Sequence, residues 1–209
     1  AGHQRQRRPR RRALVACGGD SDNDHGGSSG PTTRTGTFVD SPVAGLAYAG
    51  TDGAAGVLLA SEEWAKSKGL PILAYLVTGE TAAVDFIKAD KSRDNFVRGA
   101  EGLLMAPAQA VPRMLGRLGL GLGDFDFYEI HEAFAAQVLC TLAAWEDDRF
   151  AKEYLGQNKA FGSIDRTKLN VKGGSLAIGH PFAATGARIV GSLAKIIEEN
   201  KGGRGLLSI

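Results

Sequence analysis

Asp124-Phe125-Asp126-Phe127-Tyr128-Glu129-Ile130-His131-Glu132-Ala133-Phe134-Ala135-Ala136 is the stretch that decides the fold class. Residues 125–130 are a short apolar run of strand length. Residues 132–145 continue as an Ala-rich segment that reads as a helix. A strand running directly into a helix is the repeating unit of layered α/β proteins. The alternation recurs outward in both directions. On the amino side, residues 107–118 carry Val111, Met114, Leu115 and Leu118 on one helical face, with Pro112 awkward unless it lies in the first turn. Residues 71–77 read as a strand, residues 79–101 as a polar loop with a broken helix, and residues 53–68 as a helix stopped by Gly69. On the carboxyl side, residues 169–171 read as a short strand. Residues 181–200 read as a long helix with Ile189, Val190, Leu193, Ile196 and Ile197 inward, and residues 205–209 as a last strand. The expected fold is an α/β layered one: a buried sheet with covering helices.

Composition excludes several classes of function. The 209 residues are 43% hydrophobic and 23% charged, an ordinary soluble balance. Six arginines, Arg5, Arg7, Arg8, Arg10, Arg11 and Arg12, account for the net charge of +2; without them the body is mildly acidic, which argues against nucleic-acid binding. No apolar stretch approaches the roughly 20 residues of a membrane span. Cys17 and Cys140 form no CxxC pair, so neither a disulfide framework nor a zinc site is indicated, and a reducing cytoplasm fits.

Residues 1–37 have no apolar periodicity and are expected to be disordered. Within them, Leu14-Val15-Ala16-Cys17-Gly18-Gly19-Asp20 resembles a bacterial lipoprotein cleavage box with its polar tether. The apolar h-region such a signal needs is missing, since arginines directly precede Ala13. Residues 38–48 resemble the β-rich start of an extracytoplasmic domain. A junction is expected near Gly50.

Four histidines are present, and two lie in the body: His131 and His180. Each follows a strand or a glycine turn and is expected to precede a helix directly, where sites gather in α/β sheets. A single histidine in such a place is more often structural than functional, so position leaves the role open. Familiar motifs fall away. His131-Glu132 lacks the second histidine of a zinc protease, since residue 135 is Ala. Gly174-Ser175-Leu176-Ala177-Ile178-Gly179 has the glycine spacing of a phosphate loop but continues as His180-Pro181 instead of Lys-Ser/Thr.

His131-Glu132-Ala133-Phe134-Ala135-Ala136, followed by Asn170-Val171-Lys172-Gly173-Gly174-Ser175-Leu176-Ala177-Ile178-Gly179-His180-Pro181-Phe182-Ala183-Ala184-Thr185-Gly186-Ala187-Arg188, resembles the thiolase family, in particular bacterial fatty-oxidation thiolases. Asp52-Gly53-Ala54-Ala55 and Gly102-Leu103-Leu104-Met105-Ala106-Pro107 fit the same pattern. The resemblance implies a thiolase-like mixed sheet between helices and divides the chain into three: residues 1–50 as a disordered or foreign leader, 51–69 as the end of the amino-terminal repeat, and 70–209 as the carboxy-terminal domain, cut short before the catalytic cysteine. It implies acyl transfer to or from coenzyme A, that is, thiolysis of 3-ketoacyl-CoA or its reverse in fatty-acid β-oxidation.

The resemblance also assigns roles. His180 becomes the base that activates the nucleophilic cysteine and helps hold the thioester oxygen. His131 holds a catalytic water or the thioester carbonyl. Phe134, Met105 and Gly179 become substrate-binding residues, with core packing the competing reading for Phe134. Coenzyme A is a co-substrate, with no permanently bound cofactor and no metal. Acyl-CoA thioesters, together with a second copy or a partner thiolase subunit, are the implied partners. Two cysteines carry the family's chemistry: one expected in an amino-terminal half and one just past Ile209. Neither Cys17 nor Cys140 matches them. The chain alone is therefore expected to be inactive, and a non-catalytic fragment or fusion product that binds a partner subunit or coenzyme A is the rival reading.

Overall fold

The computed structural model describes residues 12–18, 53–84 and 102–209. Its sheet has four strands in the order β2-β1-β4-β3, with β1 at Arg12–Gly18, β2 at Tyr75–Ala82, β3 at Phe127–Ile130 and β4 at Arg204–Ser208. All three ladders are parallel. A single bridge from Tyr128 to Leu169 continues the sheet beyond β3, where a short strand was expected over 169–171.

Helices lie on both faces. Tyr128, Ile130 and Leu206 point into a core with Ala110, Val111, Met114 and Leu115 of α2 (Ala106–Leu118) and Val138, Leu142 and Trp145 of α3 (Ala135–Trp145). Leu207, next along β4, turns to the other face and meets Ile189, Leu193 and Ile197 of α6 (Phe182–Glu199). Successive strand residues alternate faces, so adjacent leucines feed two separate cores. The layered α/β architecture expected from the sequence is present. Shorter helices are α1 (Glu62–Ser67), α4 (Asp148–Phe150) and α5 (Ser175–Ile178).

Several local readings change. Arg12–Gly18 forms a strand inside a segment expected to be disordered. The apolar run 13–17 has strand length, and it gains ladders on both sides by lying between β2 and β4. The segments carrying the second leader resemblance and the junction near Gly50 lie outside the described residues. Residues 53–60 are not helical; Leu58 and Leu59 are exposed, and without an apolar surface to pack on a short helix is not held. The helix begins only where Ser61 caps it by accepting from the Trp64 N–H, and Gly69 closes the end with φ +63° as expected. The first strand of the body sits later than expected, at Tyr75–Ala82. Along it, the Gly79 and Thr81 carbonyls accept from Arg117 and Arg113 of α2. These bonds occupy polar groups on the outer strand of the described sheet.

Pro112 lies in the interior of α2, not in its first turn. It has no N–H for the Ala108 carbonyl four residues back. The Trp145 indole supplies one instead, donating to Ala108 O at 3.2 Å. A buried side chain from the neighbouring helix thus replaces the missing rung.

Candidate active site

His131 does not open a helix. Its N–H donates to the Ser208 carbonyl at 2.8 Å, continuing the strand pattern past β3, and the chain bends at Ala133 before α3 begins at Ala135. His180 does stand at a helix start. Gly179 turns with φ +87°, and Pro181 occupies the cap position, one residue earlier in the helix than the first-turn place expected of it. The two rings meet with centroids 4.1 Å apart, tilted by 48°.

The loop between them is held by polar groups that the sequence reading gave no role. Asn170, at φ +47°, imitates a strand neighbour. Its side-chain oxygen accepts from the Ile130 N–H at 2.8 Å, and its amide donates to the Ile130 carbonyl at 2.9 Å and to Glu132 Oε1 at 2.7 Å. Glu132 Oε2 accepts from the Leu176 N–H at 3.1 Å. A Cβ on Gly174 would collide with that carboxylate, so only glycine lets the loop lie this close.

Around the rings, the Thr185 hydroxyl lies 2.7 Å from His180 Nδ1 and donates to the Pro181 carbonyl at 3.3 Å. Ser175 Oγ lies 3.2 Å from His131 Nδ1 and accepts from Arg188 at 3.1 Å. Phe182 stacks on His180 with centroids 4.7 Å apart and is strongly exposed. Asn170, Glu132, Ser175, Phe182, Thr185 and Arg188 all lie inside the motifs quoted above; the signal was present, but only the fold shows which atoms meet.

The electrostatics favour uncharged rings. Burial, then the neighbouring His180 and Arg188, push His131 down to about 4. Burial and Arg188 push His180 downward as well. Burial is the first cause for both rings. Below the site, Glu129 is buried and held up at about 7 by desolvation, with Arg188 opposing and Glu132 adding.

Gly179 adjoins His180. Phe134 is partly exposed at the amino end of α3. Met105 caps α2, and its sulfur lies 3.9 Å from the Thr141 hydroxyl on α3. Cys140 is exposed on α3. Among the described residues no group of three His, Cys, Asp or Glu side chains is placed to hold a metal ion, and no helix is long and apolar enough to cross a membrane.

The two histidines meet beside the carboxyl edge of a parallel sheet, the place where sites gather in layered α/β proteins. Residues 91–209 match the family described as "Thiolase, C-terminal domain". The chain belongs to the thiolase family through this domain. It is 43% identical over 156 residues to 3-ketoacyl-CoA thiolases of Yersinia pestis (strain Pestoides F) and Yersinia pseudotuberculosis serotype O:1b (strain IP 31758), covering 75% of this chain and 33% of each relative. It thus spans about a third of the length of these curated relatives. Among solved structures it is similar to an acetyl-CoA acetyltransferase from Syntrophomonas wolfei (36% identity, 49% of this chain and 24% of that one, TM-score 0.37). It is also similar to the Acat5 thiolase from Ascaris suum in complex with coenzyme A (35% identity, 44% and 20%, TM-score 0.33).

Proposed function

We propose that the chain supplies the histidine half of a thiolase-type acyltransferase site acting on 3-ketoacyl-CoA, with coenzyme A as co-substrate. The observation that carries this reading is the contact between two neutral imidazoles, His131 and His180, at 4.1 Å. Because the Thr185 hydroxyl donates to Pro181 O, it can accept from His180 Nδ1–H, which leaves Nε2 with the lone pair of a base. His180 takes the proton of a cysteine thiol. The thiolate attacks the 3-keto carbon, the bond between carbons 2 and 3 breaks, and an acid/base cysteine protonates carbon 2 to release acetyl-CoA. The thiol of coenzyme A then removes the acyl group from the first cysteine. His131 donates to the thioester carbonyl. Phe134, Met105 and Gly179 border the acyl and pantetheine path.

Neither Cys17 nor Cys140 fits these roles, so these 209 residues alone give no turnover, and both cysteines reach the site from outside them, beside a partner thiolase subunit in the cytoplasm. The rival reading, a non-catalytic subunit that only pairs, draws on the exposed Leu58, Leu59, Leu176 and Ile178. Thiolysis of acetoacetyl-CoA with free coenzyme A separates them. The chain alone gives no turnover. Extended past residue 209 by a thiolase segment carrying the acid/base cysteine, and mixed with a cysteine-bearing amino-terminal part of a 3-ketoacyl-CoA thiolase, it does, and His180→Ala abolishes that turnover. Turnover by the chain alone, lost on His180→Ala, would place the nucleophile within this chain. A mixture that binds without turning over would leave the pairing subunit.

A further inference from the structure

We propose that Ser175, held by Arg188, is a positioning residue that fixes His131 as the tautomer protonated on Nε2, so that this ring presents a donor and not a lone pair to the site. The argument is one of hydrogen counting. A guanidinium only donates, so the 3.1 Å contact from Arg188 makes Ser175 Oγ an acceptor in that bond. The serine then has one hydrogen left to place. Its side chain is fully buried, and among the described residues the remaining polar neighbour of Oγ is His131 Nδ1 at 3.2 Å. If Nδ1 carried the proton and donated to Oγ, the serine hydrogen would be buried without an acceptor. The arrangement that satisfies every atom runs Arg188 to Ser175 to His131 Nδ1, and it leaves the proton on Nε2.

The bond joins residues 44 positions apart, and both ends are anchored. His131 is tied to β4 through its N–H, and the loop carrying Ser175 is tied to Glu132 and Asn170. The serine cannot drift from the ring without breaking those bonds. His180 carries the opposite assignment through Thr185, so the pair offers one acceptor and one donor, as needed to take a proton from a thiol while holding a carbonyl oxygen. The use of that donor rests on the function proposed above; the tautomer itself does not.

The test is the long-range 1H–15N spectrum of the 15N-histidine-labelled full chain near pH 7.5, with His131 assigned by its loss in His131→Gln. His131 should show the Nε2–H pattern. In Ser175→Ala the ratio of Nε2–H to Nδ1–H should fall by about fivefold or more, the weight of one ordinary hydrogen bond. Ser175→Thr, which keeps the hydroxyl, should retain the parent pattern. A parent chain with Nδ1–H at His131 overturns the proposal without any variant having to fold, and so does an unchanged ratio in a folded Ser175→Ala chain. None of these readouts requires turnover, so a failure here is distinguishable from a failure of the enzymatic reading.

Discussion

Glu129 and His131 are separated by one residue along the end of β3, and each is held in its uncharged form. Glu129 sits near 7 and His131 near 4. The signs of their linkage to folding oppose. The contribution of Glu129 is full below the ordinary glutamate value of 4.5 and is lost as pH rises through about 7. That of His131 is full above 6.5 and is lost as pH falls through about 4. Between about pH 5 and 6 the unfolded chain keeps the histidine proton and loses the glutamate one, while the native chain does the reverse, so the two slopes cancel. Single variants should uncover them. Relative to the parent, the stability of Glu129→Gln should climb as pH rises from 4.5 to about 7, and that of His131→Gln should fall as pH rises from about 4 to 6.5. Each change is on the order of 2–3 kcal/mol, read by urea denaturation across pH. Variant profiles that run parallel to the parent's would show that the two groups are not buried uncharged. None of this was visible in the sequence. The motifs named the two histidines, but Glu129 looked like one more strand residue, and burial is a property of the assembled layers.

At the scale of elements, legibility follows how much each one depends on distant partners. The helix α6 was read nearly to the residue, because its apolar positions recur at helical spacing from Ile189 to Ile197 and its inner face did become core. The helix α2 was read equally well, apart from its proline. Residues 53–60 failed for the opposite reason: their apolar spacing suits a helix, but Val57, Leu58 and Leu59 stay exposed, and propensity alone does not hold so short a piece. The Pro112 break in α2 makes a sharper prediction. Trp145→Phe removes the donor from Ala108 O and should cost about 1–3 kcal/mol for the orphaned carbonyl, beyond lost packing. In a Pro112→Ala background the helix regains its own N–H, and the penalty should shrink by about 1 kcal/mol. Denaturation of the four chains of this cycle gives the coupling directly; simple additivity would mean the indole bond does not replace the missing rung.

At the scale of the whole molecule, β1 links the two parts of the sheet. Its register runs along β2 on one side and β4 on the other. Without it, β2 with α2 and the β3–β4 pair with α6 share no ladder, and β4 gains an open edge. Deleting residues 1–18 should therefore speed hydrogen exchange at the amides of 204–208 that bond toward β1, with little change in α3. Unchanged exchange along β4 would take β1 out of the sheet. Composition hid this strand: arginines on one side and glycines on the other mask five apolar residues, and a central position in a sheet cannot be read from a segment without knowing which edges await it.

That position also governs the route by which the chain reaches its native state. Arg12 pairs with Tyr75 on one side and with Arg204 on the other, so the second ladder of β1 waits on a strand nearly two hundred residues away. Pairings between such remote segments close large loops before any contact repays the entropy, and proteins dominated by them fold in milliseconds to seconds, not microseconds. The centre of the sheet is therefore completed only after segments nearly two hundred residues apart have met.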